Sequence, residues 1–231
     1  KLAEELNMPI LDEHYYEPRE YFMKTRQYDS YPRNRKTKVY LGEYAAKDKK
    51  LIDALAEALY LLHVERNGDV VSMTSYAPLF ARKNATNWNP DLIYYDNERP
   101  FLTCSYYVQQ MFGQSSGQYY YGDCVTIDDQ DKSEGDGYLQ EQSVILNVKT
   151  RTLYVKIANA TDKTKQAHID LSRFKGIKGK ASVTTLKGQP EDENNFDNQP
   201  ITPKTEQLKK VSKKMDVNIE PYSFTMMTFK L

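Results

Sequence analysis

Cysteine is nearly absent from this sequence. Cys104 and Cys124 are its two thiols, too few for a disulfide framework and at no metal-ligand spacing. Free buried thiols are the expectation, and the redox compartment stays open. Tryptophan occurs once, at Trp88, and histidine three times, at His14, His63 and His168, with no H-E-x-x-H pattern. No metal or cofactor is implied. Charge of one sign is lacking too: Lys+Arg and Asp+Glu are 32 each, a formal net charge of zero. That balance gives no electrostatic case for nucleic acid or an anionic membrane as partner. No apolar run approaches the roughly 18 residues needed to span a bilayer. Residues 1–7 read as the end of a helix rather than as a charged start followed by an apolar core, so no signal peptide is expected. The compartment is not fixed by these features, with a periplasmic or secreted setting favoured over a cytoplasmic one.

Tyrosine is what the chain has in excess, 19 residues against eight phenylalanines. Tyrosine suits strands and half-buried surfaces, and its flat apolar ring with a polar tip also suits a sugar cleft. Most of the 19 belong to packing on this reading, and a handful to a site.

The first half alternates strand and helix. Strands are expected at 10–16 ("ILDEHYY"), 39–45 and 70–79, the last closed by Pro78. Residues 17–37 read as loop. Asp48 can cap a helix in which Leu51, Ile52, Leu55, Ala58, Leu59 and Leu62 form one buried stripe, ended by Asn67-Gly68. A long polar loop runs to about Pro100, and a helix spans 103–112. Strands alternating with helices imply parallel βα units. Three of them can neither close a barrel nor hide both edges of a sheet. The chain is therefore expected to start part-way through a larger domain, with an upstream segment, or a homo-oligomeric contact, covering the exposed edge at 10–16. From about 116 the pattern changes to short alternating runs such as "SVILNV", "TLYVKIAN" and "SFTMMTFKL", which argue an antiparallel β-sandwich. Residues 189–200, "QPEDENNFDNQP", read as surface loop, and 204–214 as a solvated basic stretch. The expected division is 1–115 and 116–231.

Two stretches carry chemistry. In "DEHYY" the alternation of a strand puts Asp12, His14 and Tyr16 on one face and Glu13 and Tyr15 on the other. In "KTKVYLGEYAA" a strand ends on Glu43 directly after Gly42, at the end of a parallel strand where α/β proteins keep ligand contacts. A solvated strand end and a catalytic carboxylate fit that residue equally from pattern alone, and His14 is as readily a satisfied structural histidine. "GQSSG" at 113–117 matches G-x-S-x-G, but a nucleophile elbow needs a strand before it and a helix after it, and here the order is reversed. His63 reads as structural and His168 as exposed. Asn84 and Asn159 begin glycosylation sequons that matter only in a eukaryotic secretory setting.

"DEHYY", "KVYLGEYA", "ERNGDVVSMTSYAPLF", "NWNPDLIYYDN" and "SYYVQQMFG", followed by "NNFDNQPITP" and "EPYSFTMMTFKL", together resemble the later part of the α-L-arabinofuranosidases of glycoside hydrolase family 51. The resemblance covers nearly the whole chain in order. It implies an α/β plus all-β fold, the C-terminal part of a (β/α)8 TIM barrel followed by a jelly-roll-like antiparallel sandwich. It also implies Glu43 as nucleophile, with His14 and Tyr16 contacting the sugar and keeping the nucleophile ionised. Trp88 would wall the cleft, and Asp91 would be a polar sugar contact. The acid/base glutamate of the family follows an Asn on a barrel strand that this sequence does not contain. One half of the catalytic pair is thus expected, on an arabinose-containing plant polysaccharide or oligosaccharide, and no activity from the chain alone. The rival reading from another class is a non-catalytic carbohydrate-binding or scaffold module, for which Tyr119, Tyr120 and Tyr121 are the aromatic candidates.

Overall fold

A computed structural model describes residues 2–130, 132–133, 137–177, 181–208 and 211–231. A short helix α1 (Leu2–Glu5) precedes strand β1 (Ile10–Glu17), helix α2 (Arg19–Lys24) and strand β2 (Lys38–Ala46). Helix α3 (Leu51–Arg66) and strand β3 (Val71–Thr74) complete a three-stranded parallel sheet in the order β1-β2-β3. The expected strands are present to within a residue or two, except that β3 stops at Thr74, five residues short. The stretch 17–37 is not all loop, since α2 and a 3-10 turn (Gln27–Ser30) lie within it. The long segment before 100 also holds regular structure: β4 (Phe80–Arg82), β5 (Ile93–Tyr95) and β6 (Pro100–Leu102) pair as a small sheet of their own. Helix α4 (Cys104–Gly113) follows, and the Thr103 side chain caps it by accepting the Tyr106 N–H at 3.2 Å.

The rest is antiparallel. Its strands are β7 (Tyr119–Tyr120), β8 (Val125–Ile127), β9 (Lys132–Ser133), β10 (Gly137–Tyr138), β11 (Gln140–Asn147) and β12 (Thr152–Asn159). They continue with β13 (Lys165–Asp170), β14 (Ala181–Lys187), β15 (Lys204–Gln207), β16 (Lys214–Ile219) and β17 (Ser223–Lys230). A six-stranded sheet, β15-β14-β17-β12-β11-β7, faces a three-stranded one, β16-β13-β8. Leu153, Val155 and Ile157 of β12 point into the core between the sheets, with Ile169, Met227 and Phe229. The fold is therefore α/β followed by all-β: barrel-type βα units and a jelly-roll-like sandwich. A closed barrel is not present among the described residues.

Helix α3 departs most from expectation. Thirteen of its sixteen residues are buried, so it has no single stripe. The physical reason is the sandwich. The second face of the six-stranded sheet also packs inward, and Ala158, Leu186, Phe224 and Met226 join the same core as Leu55, Leu59 and Leu62. A helix enclosed on all sides is apolar all round. Asp48 does not cap it; that carboxylate accepts the Lys49 N–H at 2.9 Å. The first helical amides instead donate to the sandwich loop, Leu51 to the Asp192 carbonyl at 2.8 Å and Ile52 to Pro190 at 3.1 Å. That loop is irregular, as its composition suggests, but not superficial. Asn194 is 1% exposed and its side chain binds the Leu102 and Ile201 carbonyls at 2.9 and 2.7 Å.

Candidate active site

The bend in the site begins at Gly42. Along β1 and β2, Glu13 pairs with Leu41, but His14 pairs with Glu43, so Gly42 is an extra residue in β2. Such a bulge leaves two consecutive residues facing one way. Val39 and Leu41 face the helices and are fully buried. Strict alternation would send Glu43 after them and Tyr44 to the open face. The bulge reverses this: Tyr44 packs against Tyr60 of α3, and Glu43 joins Asp12, His14 and Tyr16. The far end of β3 secures the irregularity, because Ser75 Oγ donates to the Gly42 carbonyl at 2.6 Å and lies 2.8 Å from the Tyr40 hydroxyl.

Around Glu43, the Tyr16 hydroxyl donates to Oε2 at 2.6 Å, and His14 Nδ1 lies 3.5 Å from the same oxygen. Burial, and then the neighbouring carboxylate, push the Tyr16 phenol well above its ordinary value, which keeps it a donor. Trp88 stands edge-on to Tyr16, ring centres 5.1 Å apart, and is 49% exposed. His14, Tyr16, Glu43 and Trp88 thus form one cluster. Asp91 does not touch Glu43. It is 2% exposed, its carboxylate meets Thr86 Oγ1 at 3.3 Å, and its N–H donates to the Tyr94 hydroxyl at 2.9 Å. Burial raises its carboxyl. Thr86 in turn holds the Trp88 N–H at 3.2 Å, so Asp91 braces the loop that presents Trp88. Sequence pattern placed Asp12 on the right face, yet gave no sign that Ser75 and Tyr40 support the turn.

Other sequence candidates fall elsewhere. Glu13 accepts from Tyr15, Tyr28 and Tyr31 at 2.9, 3.3 and 3.0 Å, on the face away from Glu43. His63 is buried against Tyr28 and Tyr60, and burial lowers its basicity. His168 bridges Asp216 and Asp128 at 2.7 and 3.0 Å on the sandwich. Ser115 follows a helix and donates to the Met111 carbonyl at 2.7 Å, so it is no nucleophile elbow. Asn159 is fully buried. Cys104 and Cys124 are free and buried. Tyr119 to Tyr121 do not make an exposed row: Tyr119 is 56% exposed, but Tyr121 packs on Phe174 at 4.9 Å. Among the described residues no group of three or more His, Cys, Asp or Glu could hold a metal, and no helix is long and apolar enough to cross a membrane.

Behind the site sits Glu57 of α3, fully buried, whose Oε1 accepts the Ala46 N–H at 2.9 Å and so ties down the end of β2. Burial pushes its carboxyl up from 4.5 to about 8. Between those two pH values the native state holds a proton that the unfolded chain has lost. Stability must therefore fall as pH rises across that window, by at most about 1.4 kcal/mol per pH unit. Glu57→Gln keeps the acceptor and removes the ionisation. It is expected to match the parent near pH 4.5 and to exceed it by about 3–4 kcal/mol at pH 7.5 in urea unfolding. A difference that does not grow with pH would contradict the buried-acid assignment.

The fold matches solved glycoside hydrolases. An arabinose-bound family GH51 α-L-arabinofuranosidase superposes with a TM-score of 0.85 over 96% of this chain and 37% of that one, at 24% identity. An α-L-arabinofuranosidase from Thermotoga maritima, an arabinose complex, gives a TM-score of 0.75 over 100% of this chain and 55% of that one, at 15% identity. At those identities the likeness concerns fold alone. In sequence, the extracellular exo-α-L-arabinofuranosidase of Streptomyces chartreusis is 40% identical over 118 residues, 51% of this chain and 14% of that protein. A probable α-L-arabinofuranosidase A of Aspergillus oryzae is 30% identical over 204 residues, 85% of this chain and 30% of that protein. The chain therefore spans less than a third of either relative. The family model described as the α-L-arabinofuranosidase C-terminal domain matches residues 28–223, and the chain belongs to that family. It is the C-terminal portion of a family 51 protein.

Proposed function

We propose that this chain supplies the nucleophile half of a retaining α-L-arabinofuranosidase that removes terminal arabinofuranosyl groups from arabinan or arabinoxylan. Residues 1–115 are the last βα units of its catalytic barrel and 116–231 its C-terminal sandwich. The observation that carries the reading is Glu43 in the C-terminal half of the parallel strand β2, held by Tyr16 at 2.6 Å, with His14 beside it and Trp88 against Tyr16. The ionised Glu43 attacks the anomeric carbon while the leaving oxygen takes a proton from an acid, giving a covalent arabinosyl-enzyme that water then hydrolyses. A retaining pair needs its two carboxyl groups about 5–5.5 Å apart. The acid/base is assigned to upstream barrel strands, which would also cover the free edges of β1 and β3. Trp88 walls the cleft and Asp91 serves sugar binding through the loop it braces. The extracellular name of the Streptomyces relative supports a secreted or periplasmic parent.

The chain alone, assayed on an aryl α-L-arabinofuranoside, is expected to show no turnover above a Glu43→Ala control. Robust Glu43-dependent hydrolysis by these 231 residues would sink the missing-acid argument.

A further inference from the structure

We propose that Asp12 is a positioning residue for the Glu43 reaction, acting through His14, and that position 42 is glycine because the Asp12 carboxyl fills the place of a side chain there. The catalytic part of this assignment rests on the hydrolase reading above; the hold on His14 does not.

The geometry runs through one ring. Asp12 Oδ2 lies 2.8 Å from His14 Nε2, and Glu43 Oε2 lies 3.5 Å from Nδ1. An ionised carboxylate only accepts hydrogen bonds, so the Asp12 contact requires a proton on Nε2. The nitrogen that faces Glu43 is Nδ1, at a distance beyond an ordinary hydrogen bond, so the ring is held from the Asp12 side. A second carboxylate behind a working imidazole commonly plays this part, fixing tautomer and orientation. Stability does not explain the pair, because the Asp12 and His14 side chains are 52% and 45% exposed, where an ion pair contributes little. Besides Asp12, the titratable groups placed at this face are Tyr16 from β1 and Tyr40 and Glu43 from β2.

Gly42 supplies the independent observation. A Cβ at that position would overlap Asp12 Oδ1 and come within 2.8 Å of Cγ and 3.1 Å of Oδ2. The Asp12 carboxyl therefore lies across the β-bulge that turns Glu43 to the open face. Gly42→Ala would displace that carboxyl without changing its chemistry, whereas Asp12→Ala removes it. Asp12→Asn retains a carbonyl oxygen able to accept from Nε2–H.

The test labels the histidine rings of the 231-residue chain with 15N and reads protonation of each nitrogen by long-range correlation. The buried His63 serves as an internal reporter of folding in every variant. The parent is expected to show a single His14 form with Nε2 protonated. Asp12→Ala and Gly42→Ala should both give a mixture of tautomers, and Asp12→Asn should restore the parent pattern. In the longer polypeptide that supplies the acid/base, the first two substitutions should lower kcat on the order of 100-fold with KM near the parent's, and Asp12→Asn should recover most of it. An unaltered His14 signature in Asp12→Ala, or equal damage from Asp12→Asn and Asp12→Ala, overturns the proposal. Hydrolysis that survives Glu43→Ala removes the nucleophile assignment and the catalytic role of Asp12 together, while the ring signatures still decide whether Asp12 holds His14.

Discussion

Replacing Glu43 by alanine, in a polypeptide that also carries the upstream barrel strands, should lower hydrolysis of an aryl arabinofuranoside by on the order of 10⁴-fold or more. No other side chain in the cluster can take over its role. His14 stands behind one Glu43 oxygen at 3.5 Å, and Tyr16 donates to that same oxygen at 2.6 Å. Both orient a nucleophile and neither replaces one. Added azide, small enough to enter the space left by the carboxylate, should restore part of the rate and yield a glycosyl azide of inverted configuration. A variant retaining a tenth of the parent's rate, with no response to azide, would mean that the nucleophile lies elsewhere. The site of the covalent intermediate can be read separately, by peptide mass after trapping with a slow substrate.

The second large effect concerns the seam between the two halves. Lys156 of β12 has no exposed side-chain surface, and its ammonium contacts Glu65 of α3. The Ser115 carbonyl, at 3.2 Å, and the face of Phe112, at 4.8 Å, complete its surroundings. Ser143 of β11 donates to the other Glu65 oxygen. Burial lowers the pKa of the ammonium, and the Glu65 carboxylate opposes that shift. Removing one member of such a pair strands the other away from full hydration. Glu65 keeps 17% exposure, which moderates the cost. Lys156→Met is expected to destabilise the chain by about 3 kcal/mol, and Lys156→Met with Glu65→Leu to recover a large part of it. For a chain of this length the single variant should melt about 6–12 °C lower by calorimetry. A shift under about 2 °C would show that the seam is held by apolar contact alone.

How much of this was legible in advance can be traced residue by residue. The apolar alternation of Leu153, Val155 and Ile157 marks β12, and the β-branched and aromatic content of β1, β2 and β17 marks theirs. The helical stripe of α3 was visible, but its burial on the opposite side was not, since that depends on a sheet 90 residues further along. Asn194 looks like surface by composition. Its burial is possible because the Leu102 and Ile201 carbonyls accept from its amide and the Ile201 N–H donates to its Oδ1. The strands at 80–82, 93–95 and 100–102 are three residues each, too short for periodicity to show. In the site, the D-x-H-x-Y alternation of β1 correctly groups Asp12, His14 and Tyr16. Counting along β2 could not place Glu43 with them, because a one-residue bulge inverts the parity of everything after it.

Gly42 therefore makes tidiness a poor guide to competence in this strand. A chain lacking it would read Val39-Tyr40-Leu41-Glu43-Tyr44, a cleaner alternation than the natural one. Its acidic side chain would still look outward and still stand opposite His14, but the backbone would run straight, with no bulge for the Asp12 carboxyl to lie across. The flaw in the ladder is what lets a second carboxylate come up against the backbone beside the first.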